Sequence, residues 1–370
     1  MSSMEKFIRI TNKDQKVWIL PCRNLRTALC LYQPSSTKGK ALKRMLPSLI
    51  KFPVVFRLVF SKLGIQKQKE GIPEDLRKYL SEVYADANNI QFSAFLGTPG
   101  THQKVTVQIS KGDKILGYCK VTENQEIYSI FQHEQMVLKY LSDHGIASIP
   151  RCIRCEALGD NKYVFVQTTV KTLNSDVRHE LGPLELEFIH QLAEDTKVTM
   201  DFKQTDFFQS IQRLQEGLGV LKENGFHTYE LGEICRNVTA YYQNHNRFSA
   251  YHRDFTPWNS FVENGKLFVF DFEYAALQYP AYLDAIHYLF QTAIFEKNMT
   301  APEIYALYRR ECDTGVLNGL FEHSEIALQS YLVDMISLYL SRGESALQDD
   351  GTVKLLAIWT DLCGYVLLNG

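Results

Sequence analysis

Residues 251–274 read YHRDFTPWNSFVENGKLFVFDFEY, a run that sets one His, four acidic residues and two Asn among aromatic and β-branched neighbours. Asn264-Gly265 is a strong hairpin signal, because a two-residue type I′ turn needs positive φ at both central positions. The flanks SFVE and KLFVFDF carry strand-forming residues. The pattern predicts a loop over 252–259, a strand, a tight turn and a second strand ending at Asp271. A hairpin returns its end to its beginning, so Asn259 and Asp271 should be neighbours with Asp254 one loop away. FVFDFEY is too apolar for a surface turn, and carboxylates buried there are costly without donors or a cation. The alternative is a surface hairpin whose Asp and Asn only make turns, as such residues often do.

Three oxygen-bearing groups gathered in this way suit a hard divalent cation beside a general base. Mg²⁺ takes few protein oxygens and shares its shell with phosphates and water. Asp254, Asn259 five residues on and Asp271 twelve further match what phosphoryl transfer needs. One Asp accepts the proton of the attacking hydroxyl, while Asn and a second Asp hold metal.

The rest of the chain divides by hydrophobic period. Residues 73–89 read as a helix, IQFSAFLG and KVTVQI as strands around a Gly/Pro turn, and ILGYCKVT as a third strand. IYSIFQHEQMVLKYLSDHG has helical spacing with Gly145 as C-cap, and KYVFVQTTV is another strand. From residue 183 onward the pattern is mostly helical, apart from the hairpin. The class is α+β, a small β-rich lobe followed by a larger helical one.

HRDFTPWN followed by FDFE resembles the catalytic and metal-binding motifs of the aminoglycoside phosphotransferase and choline kinase family, which has a protein-kinase-like fold. The family pattern H-x-D-x-x-x-x-N, then D-x-(D/E), is carried here by His252, Asp254, Asn259, Asp271 and Glu273. The HRD opening is shared with protein kinases. Asp271-Phe272-Glu273 lacks the Gly of D-F-G, and no A-P-E follows, which favours the small-molecule branch. The resemblance implies a bilobal fold with a small antiparallel-sheet N-lobe and a larger helical C-lobe. It implies ATP and Mg²⁺ as cofactors, Asp254 as catalytic base, and Asn259 and Asp271 as metal ligands. His252 and Asp284 would be structural, and Glu273 would assist the metal or the acceptor. The implied domains are a basic N-terminal extension or subdomain over 1–88, a nucleotide-binding N-lobe over 89–169, and a helical C-lobe over 170–370 with the catalytic loop and hairpin.

The same resemblance asks for a strand Lys on the ATP phosphates and a helix Glu to pair with it. Lys120 and Glu134, fourteen residues apart, fit; Glu126 is a rival that precedes the helical stripe. Gly97 and Gly100 lie in the turn between two strands, where backbone N–H groups approach phosphates. The turn is not G-x-G-x-x-G, Pro99 removes a donor, and a turn with no ligand is an equal reading. Adenine would sit on backbone groups between Val166 and Thr169, including Gln167. The Walker A pattern is absent.

Charge is uneven. Residues 1–70 carry fifteen basic and three acidic residues, and the remainder twenty-five basic and thirty-nine acidic, for a net −2. This balance predicts no nucleic-acid partner. The segment GKALKRMLPSLIKFPVVFRLVFSKLG mixes its basic residues with large apolar ones, a composition that suits peripheral contact with an anionic membrane. Docking on the acidic remainder is the alternative, and Pro47 and Pro53 should interrupt any long helix. No apolar run approaches the roughly 18–20 residues of a membrane span. The eight Cys are scattered, and Cys152-x-x-Cys155 has no second ligand pair, so they read as reduced cytoplasmic thiols rather than a zinc site.

The expected function is an ATP-dependent kinase acting on a hydroxyl of a small-molecule or glycan acceptor. The alternatives are a kinase-like binding module without catalysis and, less favoured, a protein kinase. The acidic remainder suits a cationic acceptor, the basic N-terminus an anionic or lipid-linked glycan. Trp258, inside the catalytic loop, offers a ring for stacking.

Overall fold

The computed structural model describes residues 6–13, 15–34, 37–50, 64–85, 89–97, 103–343, 347 and 349–369. Two compact units emerge, Met1–Lys139 with Pro150–Asp176, and Tyr140–Ile149 with Val177–Gly370.

The first unit is built on eight strands: β1 (Phe7–Thr11), β2 (Val17–Pro21), β3 (Ile65–Gln68), β4 (Gln91–Phe95), β5 (Val105–Lys111), β6 (Lys114–Thr122), β7 (Cys152–Leu158) and β8 (Lys162–Thr168). Their spatial order is β3-β1-β2-β4-β5-β6-β8-β7, and every neighbouring pair is antiparallel. Alternation along β1 and β2 explains why both faces are dry. Phe7, Val17 and Ile19 join a core with Leu76 and Leu80 of helix α3 (Glu74–Val83). Ile8, Ile10, Trp18 and Leu20 face the other way, onto helices α1 (Leu25–Ala28) and α2 (Thr37–Leu49) through Leu25, Ala28 and Leu46. Successive strand side chains point to opposite faces, so a strand buried on both reads as a continuous apolar run. Helix α4 (Gln125–Asp143) follows β6.

Two expectations change here. The stretch 1–88, expected as an extension or subdomain, contributes β1, β2 and β3 to the same sheet: β2 pairs with β4 through Trp18↔Phe95 and Ile19↔Ala94, so a division at 88/89 falls inside one sheet. Pro47 does not stop its helix at once, since α2 runs two residues past it to Leu49. Of the basic apolar segment proposed for membrane contact, residues 51–63 lie outside the described residues.

The second unit contains helices α5 (Pro183–Asp195), α6 (Asp206–Glu223), α7 (Tyr229–Tyr242), α8 (Leu283–Phe295), α9 (Ala301–Asp313), α10 (Ser324–Leu340) and α11 (Asp350–Asn369). Strands β9 (Val198–Thr199), β10 (Arg247–Tyr251) and β13 (Ala276–Tyr279) form a sheet in the order β13-β10-β9, and β11 (Ser260–Glu263) pairs with β12 (Lys266–Val269). Helix α10 is buried continuously from Ala327 to Leu338 and forms the centre of this unit. Helix α11 departs from the expectation about apolar runs, because Asp350–Leu368 is long and apolar enough to cross a membrane. Its Leu356, Trp359, Leu362 and Cys363 are fully buried in the protein, as in a core helix.

Candidate active site

In the second unit the hairpin forms as its turn chemistry demands. Asn264 and Gly265 both have positive φ, 51° and 76°, and the register Ser260↔Val269 to Glu263↔Lys266 closes a two-residue loop. Past the ladder, Phe270 donates its N–H to Asn259 O at 3.0 Å. The main chain beside Asp271 is therefore tied to Asn259.

The loop between β10 and the hairpin is held from three sides. Asn259 Nδ2 donates to the carbonyl of Asp254 at 3.0 Å and to its Oδ2 at 2.8 Å. That leaves Oδ1 of Asn259 as the end suited to a cation. His252, fully buried, donates from Nε2 to Phe270 O at 3.1 Å and accepts the Asp254 N–H on Nδ1 at 3.2 Å. The proton thus belongs on Nε2, and burial lowers this imidazole to about 4. Asp284, at the start of α8, accepts the N–H of His252 at 2.9 Å and of Arg253 at 3.0 Å. Burial raises its carboxyl to about 7, against the pull of those two bonds.

Arg253 and Asp271 share a feature the sequence does not announce. Both are non-glycine residues in the left-handed region, with φ of 70° and 71°. Such a conformation persists only where surroundings over-determine it. For Arg253 the restraint is visible: Nε and one terminal nitrogen bond the two oxygens of Asp334, at 3.1 and 2.6 Å. The guanidinium also lies 5.5 Å from the Tyr279 ring centroid. Asp334, on α10, is fully buried. A second residue missed in the sequence is His287 on α8, whose Nε2 lies 3.5 Å from Asp254 Oδ1 and whose Nδ1 lies 3.4 Å from the Tyr331 hydroxyl. Its place one turn after Asp284 was the available signal, since residues three apart share a helix face. Beside the loop, Trp258 and Phe295 remain 38% and 54% exposed and meet edge to face, centroids 5.9 Å apart.

In the first unit, Lys120 lies on β6 opposite Phe165 of β8. Its neighbours Cys119 and Val121 turn into the core shared with α3, so Lys120 points to the other face. There Nζ meets Glu134 Oε2 of α4 at 2.6 Å, with Lys120 at 6% and Glu134 at 0% exposure. The rival Glu126 is exposed, in the first turn of α4. Gly97 has φ of 77°, and a Cβ there would collide with Lys104 O. Gly100 and Pro99 lie outside the described residues. Gln167 sits inside β8 between Tyr118 of β6 and Cys152 of β7, its main chain flanked by both strands. Thr169 lies one residue past the end of β8, where no ladder constrains its backbone, and its hydroxyl accepts the Lys171 N–H at 3.1 Å.

No protein-family model matches the chain, and no curated protein sequence matches it. Solved structures do. A thermostable mutant of aminoglycoside phosphotransferase APH(4)-Ia, in ternary complex with ADP and hygromycin B, aligns over 80% of this chain and 99% of that one, with a TM-score of 0.51 and 11% identity. An apo form of that thermostable enzyme aligns over 79% and 98%, with a TM-score of 0.50 and 12% identity. By backbone, this chain has the protein-kinase-like α+β fold of the aminoglycoside phosphotransferases.

Proposed function

We propose that the chain transfers the γ-phosphate of ATP to a hydroxyl of a small molecule. The observation that carries this reading is the grip of Asn259 on both the carbonyl and the carboxylate of Asp254. Asp254 is thereby fixed on one oxygen while its side chain stays 32% exposed, as a base must be to reach an acceptor. Asp254 would take the acceptor's proton as that oxygen attacks phosphorus. Lys120, held by Glu134, would bind phosphate oxygens. The hard-oxygen donors Asn259 Oδ1 and Asp271 fit Mg²⁺, which when bound would neutralise charge on the phosphates. His252 and Asp284 hold the loop and make no contact with the reacting atoms in this scheme.

The fold relatives are named for aminoglycoside acceptors. For this chain a sugar or surface-glycan precursor is favoured by the exposed ring of Trp258 next to Asn259, a stacking surface for a pyranose. Thr169, rather than Gln167, would offer backbone groups to adenine. The test is ATP consumption by the purified protein with a panel of sugars, polyols, amino alcohols and aminoglycosides. Turnover that depends on one acceptor class supports the proposal. Nucleotide binding with no turnover on any acceptor would leave a binding module instead.

A further inference from the structure

The sequence divides its charges so that residues beyond 70 are strongly acidic, which would favour a cationic acceptor. One group in the second unit opposes this. Arg342 follows the C-terminus of α10, and its guanidinium carbon lies 4.3 Å from the Tyr339 ring centroid and 4.9 Å from that of Tyr274. Its Nε is buried with no hydrogen-bond partner, and among the described residues no carboxylate pairs with it. Arg253, by contrast, has its bidentate carboxylate.

Tyr274 ties Arg342 to the reaction centre. It is next to Glu273 and three residues beyond Asp271, and Phe270 before them bonds Asn259, which in turn holds Asp254. The electrostatics agree. The Tyr274 phenol is raised first by burial, then by the charge of Glu273, with Arg342 opposing and Asp271 and Asp254 adding to the rise. The Tyr339 phenol is raised first by burial, and there Arg342 opposes by its charge and by a side-chain hydrogen bond, while Asp254 and Asp349 add to the rise. Arg342 and Asp254 thus act in opposite senses on the same two phenols.

A guanidinium held against aromatic rings still presents N–H donors as a planar fork, and that fork matches a carboxylate or a phosphate. A buried N–H without an acceptor is costly, and its retention calls for an explanation such as a ligand that completes it. In the proposed reaction Asp254 receives the acceptor's proton, and Arg342, packed on Tyr274 three residues past Asp271, is joined to the same end of the hairpin. We infer that Arg342, set against Tyr274 and Tyr339, recognises an anionic group on the acceptor, a carboxylate or a phosphate a short distance from the hydroxyl that is phosphorylated. The inference rests on the phosphotransferase reading and names the substrate class of that same site.

The experiment titrates wild type, Arg342→Ala and Arg342→Lys by calorimetry without ATP. The probes are gluconate, glucose 6-phosphate and glycerol 3-phosphate, with glucose and glycerol as neutral parents. ATP consumption is measured in parallel on the same panel. The expected result is that at least one anionic probe binds wild type at least tenfold more tightly than its neutral parent. Arg342→Ala should erase that preference, Arg342→Lys should restore part of it, and the neutral parents should bind all three proteins alike. Carboxylate against phosphate is read from which probe shows the effect. If no anion outcompetes its parent, or if Arg342→Ala weakens both equally, the inference falls. It also falls if Arg342→Ala spares acceptor binding and instead weakens ATP, which would place the nucleotide's phosphates at this arginine. A failure of the phosphotransferase reading looks different: anion binding intact, with no ATP consumed on any member of the panel.

Discussion

Asp334 on α10 reaches back eighty-one residues to grip Arg253 with two hydrogen bonds, of 3.1 and 2.6 Å, immediately before the candidate base Asp254. The pair fixes a left-handed residue at the point where the chain turns from strand into loop.

Breaking this pair from one side should be costly. Asp334→Ala leaves a buried guanidinium without its carboxylate, which costs about 3–5 kcal/mol. Asp334→Asn keeps one acceptor and should cost less. Denaturant midpoints of the two variants check the order, and equal midpoints would contradict it.

Asp254→Asn and Asp271→Ala should each lower acceptor-dependent ATP turnover by about a thousandfold or more, the scale on which proton acceptance and metal binding act together in phosphoryl transfer. Both side chains belong to the loop and hairpin, not the core of α10, so melting temperatures should shift by only a few degrees. Retained turnover in both variants would end the assignment of these residues.

Lys120 and Glu134 should behave as one unit. Contacting residues commonly show coupling of about 0.5–3 kcal/mol in double-mutant cycles. Lys120→Met, Glu134→Gln and the double variant should therefore lose similar ATP affinity rather than additive amounts. Isothermal titration with a non-hydrolysable ATP analogue measures this, and strict additivity would separate the two residues.

The buried pair His252 and Asp284 sets opposite pH slopes. His252 is lowered from 6.5 to about 4, so its contribution to stability is complete above 6.5 and is lost as pH falls through 4. By linkage the loss is on the order of 3 kcal/mol. Asp284 is raised from 3.8 to about 7, so its contribution is complete below 3.8 and is lost as pH rises through 7. Asp284→Asn removes the second slope. The stability lost between pH 7 and 4 should then be larger in the variant than in wild type, as read from urea midpoints at each pH.

Much of the site was legible because its signals are local. Asn264-Gly265 specifies its turn by the φ it tolerates, and the turn alone brings Phe270, beside Asp271, against Asn259. Lys120 and Glu134 are set by one strand, one connection and one helix, so spacing sufficed to pair them. Arg253 with Asp334, and Asp254 with His287, are joined only by the packing of α8 and α10, and no local period encodes such a meeting. The first strands failed for a related reason. Five-residue segments buried on both faces look like any apolar run, and nothing in FIRIT or VWILP says which distant edge will receive them. Whether the amides of Gln167 are spare depends on its strand's position within the sheet, between β6 and β7, and that order is invisible before pairing.

The joining of β2 to β4 has a practical corollary for anyone trimming this protein. A recombinant fragment starting at Ile90 would make β4 an open border, with Ala94 and Phe95 stripped of Ile19 and Trp18. Naked amides on an apolar strand invite the same border of another molecule, so the shortened polypeptide would stick to itself before it could ever meet a nucleotide.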